Sequence, residues 1–312
     1  MIGGIIADYI GRKRTMMLAV LAYALTTGLS AVAWNWQSFA VLRFLVGILP
    51  ALLVFWIRRT MPESARWEEP NARRRAVRAQ QRAGASLEGV DAALTRFTFA
   101  DMFLDKSVRP RLIVAFLMML SVTFGFWGVA TFVPTYVGTV ADKAGLSAPY
   151  YSAVAGLLGT GVAIFGFITL GFLADWIGRK PTAMLYYAMC LILTPVVYLW
   201  AQSLGALLVA VAVFGFFTGG IWSWAPIWLP ELFPTRMRGT AVAFCFNAPR
   251  WISCIGPLIA GTLIVAMGGY GKAATIVGLF FIVGVIAAPF LPETRGKPLP
   301  HALWRDPAAP ST

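Results

Sequence analysis

The chain has 312 residues, of which 59% are hydrophobic and only 12% charged, and it carries a formal net charge of +13. A soluble domain contains roughly 25% charged residues, so this composition excludes a globule dissolved in water. The positive excess raises the question of nucleic acid, and the placement of the charges answers it in the negative.

In chain order, an apolar stub at 1–10 is followed by apolar stretches near 16–34 and 38–57, and then by a polar segment at 58–111. Six more stretches follow near 112–136, 151–174, 183–201, 204–228, 240–267 and 271–291, and the chain closes on a polar tail, 292–312. About 20 apolar residues are what a helix needs to cross a bilayer. The stretches are apolar on nearly all sides and rich in Gly and Pro, as membrane helices are. The expected fold is therefore all-α and polytopic. Arg12, Lys13, Arg14, Arg58, Arg59, the basic 66–111 segment, Arg179, Lys180, Arg236, Arg238, Arg295 and Lys297 all fall on one side of such a fold. The opposite loops, near 34–37, 139–150, 202–203 and 268–272, hold only Lys143 and Lys272. The positive-inside rule makes the first side cytoplasmic, with the C-terminus on it, and turns the net charge into a topology signal. The opening M-I-G-G-I-I-A-D has no basic n-region, so no cleavable signal peptide is expected. Cys190, Cys245 and Cys254 lie inside spans without metal-ligand spacing, and apolar packing is their expected role.

Two motifs recur. Gly4 to Arg14 reads G-I-I-A-D-Y-I-G-R-K-R and Gly171 to Pro181 reads G-F-L-A-D-W-I-G-R-K-P; extended to Leu18 and Leu185 they share ten of fifteen positions at a spacing of 167 residues. Pro62-Glu63-Ser64 and Pro292-Glu293-Thr294 each follow an apolar span, but at a spacing of 230. A repeat of this length marks a duplicated unit, and a transporter of two related halves is the membrane form of it. The two spacings differ by 63 residues, the length of two crossings with their loops. The first half is thus expected to lack two crossings between Leu18 and Pro62, with a join near Gly47–Pro50, and to begin within a crossing. A protein asymmetric by nature is the alternative.

These residues resemble the major facilitator superfamily. The G-x-x-A-D-x-x-G-R-K loop is similar to its signature between the second and third helices of each half. P-E-S-A-R-W (Pro62–Trp67) and P-E-T-R-G (292–296) are similar to the sugar-porter marks after the sixth and twelfth helices, and P-E-L-F-P-T-R-M-R-G (230–239) to the loop after helix ten. Within that superfamily the chain looks like the bacterial metabolite:proton symporters, nearest the sialate and organic-acid carriers. The aromatic helix-ten signature of the sugar porters is not matched by Ile221-Trp222-Ser223-Trp224-Ala225-Pro226. The resemblance implies an N-terminal remnant at 1–57, a basic cytoplasmic linker at 58–111, a complete C-terminal six-helix bundle at 112–291 and a cytoplasmic tail at 292–312. It also implies secondary active transport of a small organic metabolite, an organic anion or sugar acid, by proton symport. A non-transporting remnant, or a partner of an intact carrier, is the other reading.

Asp175 and Arg179 lie one helical turn apart at a span end. Asp175 can accept hydrogen bonds at a neighbouring helix N-terminus, and Arg179 can fork onto a carboxylate such as Glu231. In the superfamily such contacts latch the cytoplasmic side; Asp8 and Arg12 are expected to act likewise in the first half, and Arg238 joins the set. Arg250 falls near the middle of its span, where a charge is costly and is paired or functional. It is expected to grip a substrate carboxylate, with Asn247 three residues away on the same face; pairing with an acid in the missing stretch is the competing reading. Pro226 and Pro230 can break the helix near 222–230, where Trp222 is expected to face the cavity, while Trp224, Trp228 and Trp251 could equally pack or face lipid. Arg43 could line an outward cavity or snorkel. Asp142 and Lys143 are expected to be solvated, and His301 idle. No mid-span Asp or Glu is present to carry a proton. Nucleophile motifs, metal clusters and phosphate-binding glycine loops are absent from the sequence, so neither an enzyme nor a cofactor is expected.

Overall fold

A computed structural model describes residues 98–201, 203–234, 237–297 and 299–300, residues 35–44, and isolated positions at 27, 76–77, 79–80 and 83. Asp8, Arg12, the first motif copy, Pro62–Trp67, Arg236, His301 and most of the remnant and linker lie outside the described residues. The chain divides into two compact units, Met1–Ala76 and Val77–Thr312. In the first, a helix over 36–44 is capped by Asn35, whose Oδ1 accepts the Ser38 N–H at 2.7 Å while the Ser38 hydroxyl donates to the Asn35 carbonyl at 2.9 Å. Arg43 lies over the Phe39 ring, 5.1 Å from its centroid.

The second unit holds six helices long and apolar enough to cross a membrane: α1 Arg109–Lys143, α2 Ala148–Ile177, α3 Arg179–Trp200, α4 Leu204–Leu232, α5 Arg238–Ala266 and α6 Tyr270–Phe290. No strand occurs among the described residues. Each span matches one apolar stretch in the sequence. A short helix, Thr98–Leu104, precedes them, and Met102 and Val108 beside it are fully buried in the bundle core. Phe99 and Phe103 meet Phe244 of α5 edge-on at 5.8 and 5.3 Å, so this short helix packs against α5.

The core has two layers. One gathers Leu112, Met118, Tyr186, Tyr187, Cys190, Trp224, Trp228 and Phe281; the other gathers Val133, Val137, Tyr198, Leu207 and Phe214. Trp224 and Trp228 are packing residues, and Trp251 is 83% exposed. Cys190 and Cys245 are buried as expected. Cys254 is exposed, contrary to the packing expectation, because it falls on the side of α5 that also exposes Trp251 and Ile255; its thiol donates to the Trp251 carbonyl at 2.9 Å.

Four spans are interrupted, and hydroxyl groups mend several of the gaps. Lipid supplies no hydrogen bonds, so carbonyls freed at a break must find partners within the protein. At the α1 break the Val129 carbonyl accepts the Phe132 N–H at 3.1 Å and, as a second donor from another span, the Tyr198 hydroxyl at 2.8 Å. At the α6 break the Phe280 carbonyl accepts the Val283 N–H at 3.2 Å and the Ser121 hydroxyl at 2.8 Å. In α4 the interruption is a 3₁₀ turn at Ile221–Ser223, before Pro226, whose missing N–H leaves the Trp222 carbonyl without its usual helical donor.

α2 and α4 pack through small residues. A Cβ on Gly215 would stand 2.5 Å from the Gly159 carbonyl oxygen, and one on Gly220 2.5 Å from the Gly166 carbonyl carbon. Backbones this close gain dispersion and weak polar contacts that lipid cannot replace. Gly220→Val should destabilise the solubilised bundle by about 1–3 kcal/mol, read as a lower melting temperature in detergent; an unchanged melt would contradict this close packing.

Candidate functional site

The end of the bundle at which α2 meets α3 carries a charge network built on one turn. Gly178 has φ +110°, a conformation side-chain-bearing residues avoid, and a Cβ there would stand 2.8 Å from Glu293 Oε2. That glycine lets the Glu293 carboxylate reach the first turn of α3. Glu293 accepts the Arg179 N–H at 2.9 Å and the Lys180 N–H at 3.0 Å, and also the Thr294 and Arg295 N–H groups at 3.0 Å each. These α3 donors have no partner within their own helix, and the helix dipole favours an anion beside them.

Arg179 forks onto Glu231 of α4, with Nε to Oε2 at 3.1 Å and Nη2 to Oε1 at 3.0 Å. Its Nη1 donates to Asp175 at 2.6 Å and to the Ala174 carbonyl at 2.9 Å. The Thr294 hydroxyl donates to Glu231 Oε2 at 2.5 Å, and Lys180 Nζ donates to the Pro289 carbonyl at 2.9 Å. Three segments distant in sequence are thus tied together around one guanidinium. The expectation that Asp175 would cap a helix N-terminus is corrected: Asp175 is 72% exposed and bonds Arg179, while Glu293 takes the helix end. Glu293 already takes the two free donors of that turn, and Asp175, four residues before Arg179, meets its guanidinium instead. Arg238 donates to the Phe233 and Pro300 carbonyls at 3.2 and 3.1 Å.

Sequence reading passed over Glu293 and Thr294 as site residues, although the P-E-T repeat had marked their position. Burial works to raise the Glu293 pKa, but the backbone donors of Lys180, Arg179, Arg295 and Thr294 outweigh it and hold the carboxyl below its ordinary value.

The second constellation lies at mid-span. Among the six spans every charged side chain lies within the first or last turn except Arg250, which falls twelve residues into α5. At 1.5 Å per residue that is about 18 Å from the α5 start. Arg250 is exposed on the bundle surface, and its guanidinium carbon lies 4.4 Å from the centroid of Phe246 and 5.9 Å from that of Trp222. Among the described residues no carboxylate is within ion-pair distance of it. Trp222 meets Phe126 edge-on at 5.6 Å and Phe246 at 6.3 Å. Sequence reading missed Phe126 and Phe246; the latter was legible as the residue one turn before Arg250.

Trp222 also walls a cavity of about 380 Å³ with Phe126, Thr131, Thr160, Phe167 and Thr218. Thr131 and Thr218 spend their hydroxyl protons on carbonyls of their own turns, at 2.7 Å each. Asn247 is exposed, its amide donates to the Ala243 carbonyl at 2.9 Å, and it borders a shallow groove with Pro230, Arg238, Val242 and Phe246. Arg250 and Asn247 share the outer face of α5 but not one cavity. No cluster of three or more metal-ligating side chains occurs among the described residues.

Six apolar helices, bound at one end by a charge network and bearing one mid-span cation, define an integral membrane protein of the transporter class. Residues 47–304 match the sugar (and other) transporter family, and the chain belongs to that family, within the major facilitator superfamily. Its relatives are transporters, not enzymes. It is 28% identical to the cis,cis-muconate transport protein of Acinetobacter baylyi, over 94% of this chain and 68% of that protein. It is 27% identical to a gallate transporter of Pseudomonas putida, over 88% of this chain and 64% of that one. It is 25% identical to the sialic acid transporter NanX of Escherichia coli, over 97% of this chain and 82% of NanX. The NanX alignment runs over 366 residues while drawing on 97% of a 312-residue chain, so about 60 of its positions face gaps in this chain. Among solved structures, the proton:xylose symporter XylE bound to 6-bromo-6-deoxy-D-glucose shares the fold, with a TM-score of 0.52, 21% identity, and coverage of 91% of this chain and 63% of XylE. The chain thus spans about two-thirds of the length of several of the proteins it matches.

The Glu293 geometry gives a pH expectation. A carboxyl with a lower pKa folded than unfolded stabilises the fold above its unfolded value, and that contribution disappears as pH falls through the folded value. Between about pH 6 and pH 3, the parent should therefore lose more thermal stability than Glu293→Gln. Parallel losses would contradict the capping role.

Proposed function

We propose that the chain works as a secondary active transporter of a small organic metabolite, an organic anion or sugar acid, by alternating access and proton symport. The observation that carries this reading is Arg250. A guanidinium halfway along an apolar span needs an anion or water to offset its burial in lipid, and a substrate carboxylate supplies the anion. Trp222 and Phe246 flank it, and Asn247 adds an amide on the same helix face.

In this reading 1–57 is the remnant of the first bundle, 58–111 a cytoplasmic linker, 112–291 the second bundle and 292–312 a cytoplasmic tail. The positive-inside rule places the Arg179 end on the cytoplasmic side of the inner or plasma membrane. The Arg179–Glu231 fork, with Asp175 and Arg238, is the cytoplasmic latch that parts when the site opens inward; Asp8 and Arg12 are its counterparts in the first half. A fork of two partly buried charged partners suits a latch, because removing either partner leaves the other without its counter-charge. The proton as coupling ion rests on the sequence resemblance to metabolite:proton symporters.

A second reading, a non-transporting remnant or a partner of an intact carrier, is favoured by the gaps against NanX, which amount to about two crossings.

The test uses the full chain in proteoliposomes with labelled cis,cis-muconate and an imposed proton gradient. Gradient-driven uptake that falls to background in Arg250→Gln is the expected result. Arg250-dependent binding without uptake would select the second reading. Binding or uptake indifferent to Arg250 would contradict the site.

A further inference from the structure

Arg250 sits in a segment that its own helix holds poorly. Pro249 precedes it, and Pro257 follows one turn past the break at Cys254. Each proline removes one backbone donor from the ladder, so the Cys245 and Ser253 carbonyls lose their i+4 partners. The helix runs on through Pro249 and Arg250 to Ser253 and breaks at Cys254, and with two ladder bonds missing its backbone alone fixes the direction of Arg250 less firmly.

A pair of hydroxyls between α5 and α1 replaces the missing constraint. Ser253 Oγ lies 2.6 Å from Thr123 Oγ1, and also 2.6 Å from the Pro249 carbonyl. Thr123 Oγ1 in turn lies 2.9 Å from the Met119 carbonyl on α1. Both side chains are fully buried. Ser253 follows Arg250 by three residues, and the carbonyl it touches belongs to the residue immediately before Arg250. One junction therefore fastens the Arg250 turn to a neighbouring span at mid-membrane depth, where no water competes for the bond. Beyond it, Gly256 passes close to the backbone of Phe124 and Gly128, so α5 lies directly on α1 at this level.

We infer that Ser253 and Thr123 are positioning residues for Arg250: their buried hydrogen bond sets the rotation of the α5 segment that presents the guanidinium to an anion. The inference rests on the proposed role of Arg250 in binding a carboxylate. Neither hydroxyl touches the ligand. Losing the bond leaves the charge in place but lets it swing, which weakens recognition of a carboxylate more than recognition of an uncharged ligand of the same shape.

The experiment measures binding of cis,cis-muconate and of its uncharged dimethyl ester to the full chain in nanodiscs, for the parent, Ser253→Ala, Thr123→Val and Arg250→Gln. Ser253→Ala and Thr123→Val should each weaken muconate binding about tenfold, the scale of one interhelical hydrogen bond, with little change for the ester. Ser253→Thr and Thr123→Ser, which keep the hydroxyl, should restore the parent ratio. Adding Ser253→Ala to Arg250→Gln should have no further effect. A general loss of packing would lower both ligands together and would overturn the inference. So would muconate binding at the parent level in Ser253→Ala and Thr123→Val while Arg250→Gln has lost it. If Arg250→Gln binds muconate as the parent does, or the parent does not bind it, the carboxylate reading of Arg250 fails, and the positioning role fails with it.

Discussion

Lipid offers no hydrogen bonds, and that constraint decides where this chain can place polar chemistry. Backbone groups are satisfied within helices, and at the breaks hydroxyls from other spans add a second donor to the carbonyls, as Tyr198 does on Val129 and Ser121 on Phe280. Charged groups gather in the end turns of the spans, where water or partners are at hand. The most heavily tied of them, Arg179, is held by Glu231, Asp175 and a backbone carbonyl together. Against that background a mid-span arginine on an outer face is the exception, and the functional reading grows from it.

The two ends of the molecule's chemistry differ in kind. At the α2–α3 turn, every polar group described is engaged, often several times, and the geometry depends on a glycine that admits Glu293 to a helix end. Such a site is fully satisfied in the observed state and stores specificity in its connections. At Arg250 the neighbours are aromatic faces, which attract a cation but leave its hydrogen-bond donors unused. The first arrangement is suited to holding a conformation, the second to receiving a ligand.

Much of the fold was legible in the sequence because spanning is a matter of length and apolarity, and all six spans of the second unit fall where the apolar stretches lie. The direction in which each side chain points was not legible. Spans apolar on all sides carry no periodic signal, so Trp224 and Trp228 could not be told from Trp222 before the structure separated core from outer face. Glu293 was hidden for another reason: its partners Arg179 and Lys180 are more than a hundred residues away, and only a shared turn brings them together. Arg250 was legible, because one charge amid apolar residues needs no partner to be noticed. Phe246 could have been found from helical spacing alone, and Trp222 was named from the proline-broken stretch around it, whereas Phe126 comes from another span and required the packing.

Accessibility of the mid-span position tests the central claim most directly. In a Cys254→Ser background, which removes the exposed native thiol, Arg250→Cys in membranes should react with a membrane-impermeant cationic thiol reagent, because the site opens to water. A cysteine at 250 that stays unreactive in intact membranes and reacts only after detergent is added would place the residue against lipid and contradict the anion site.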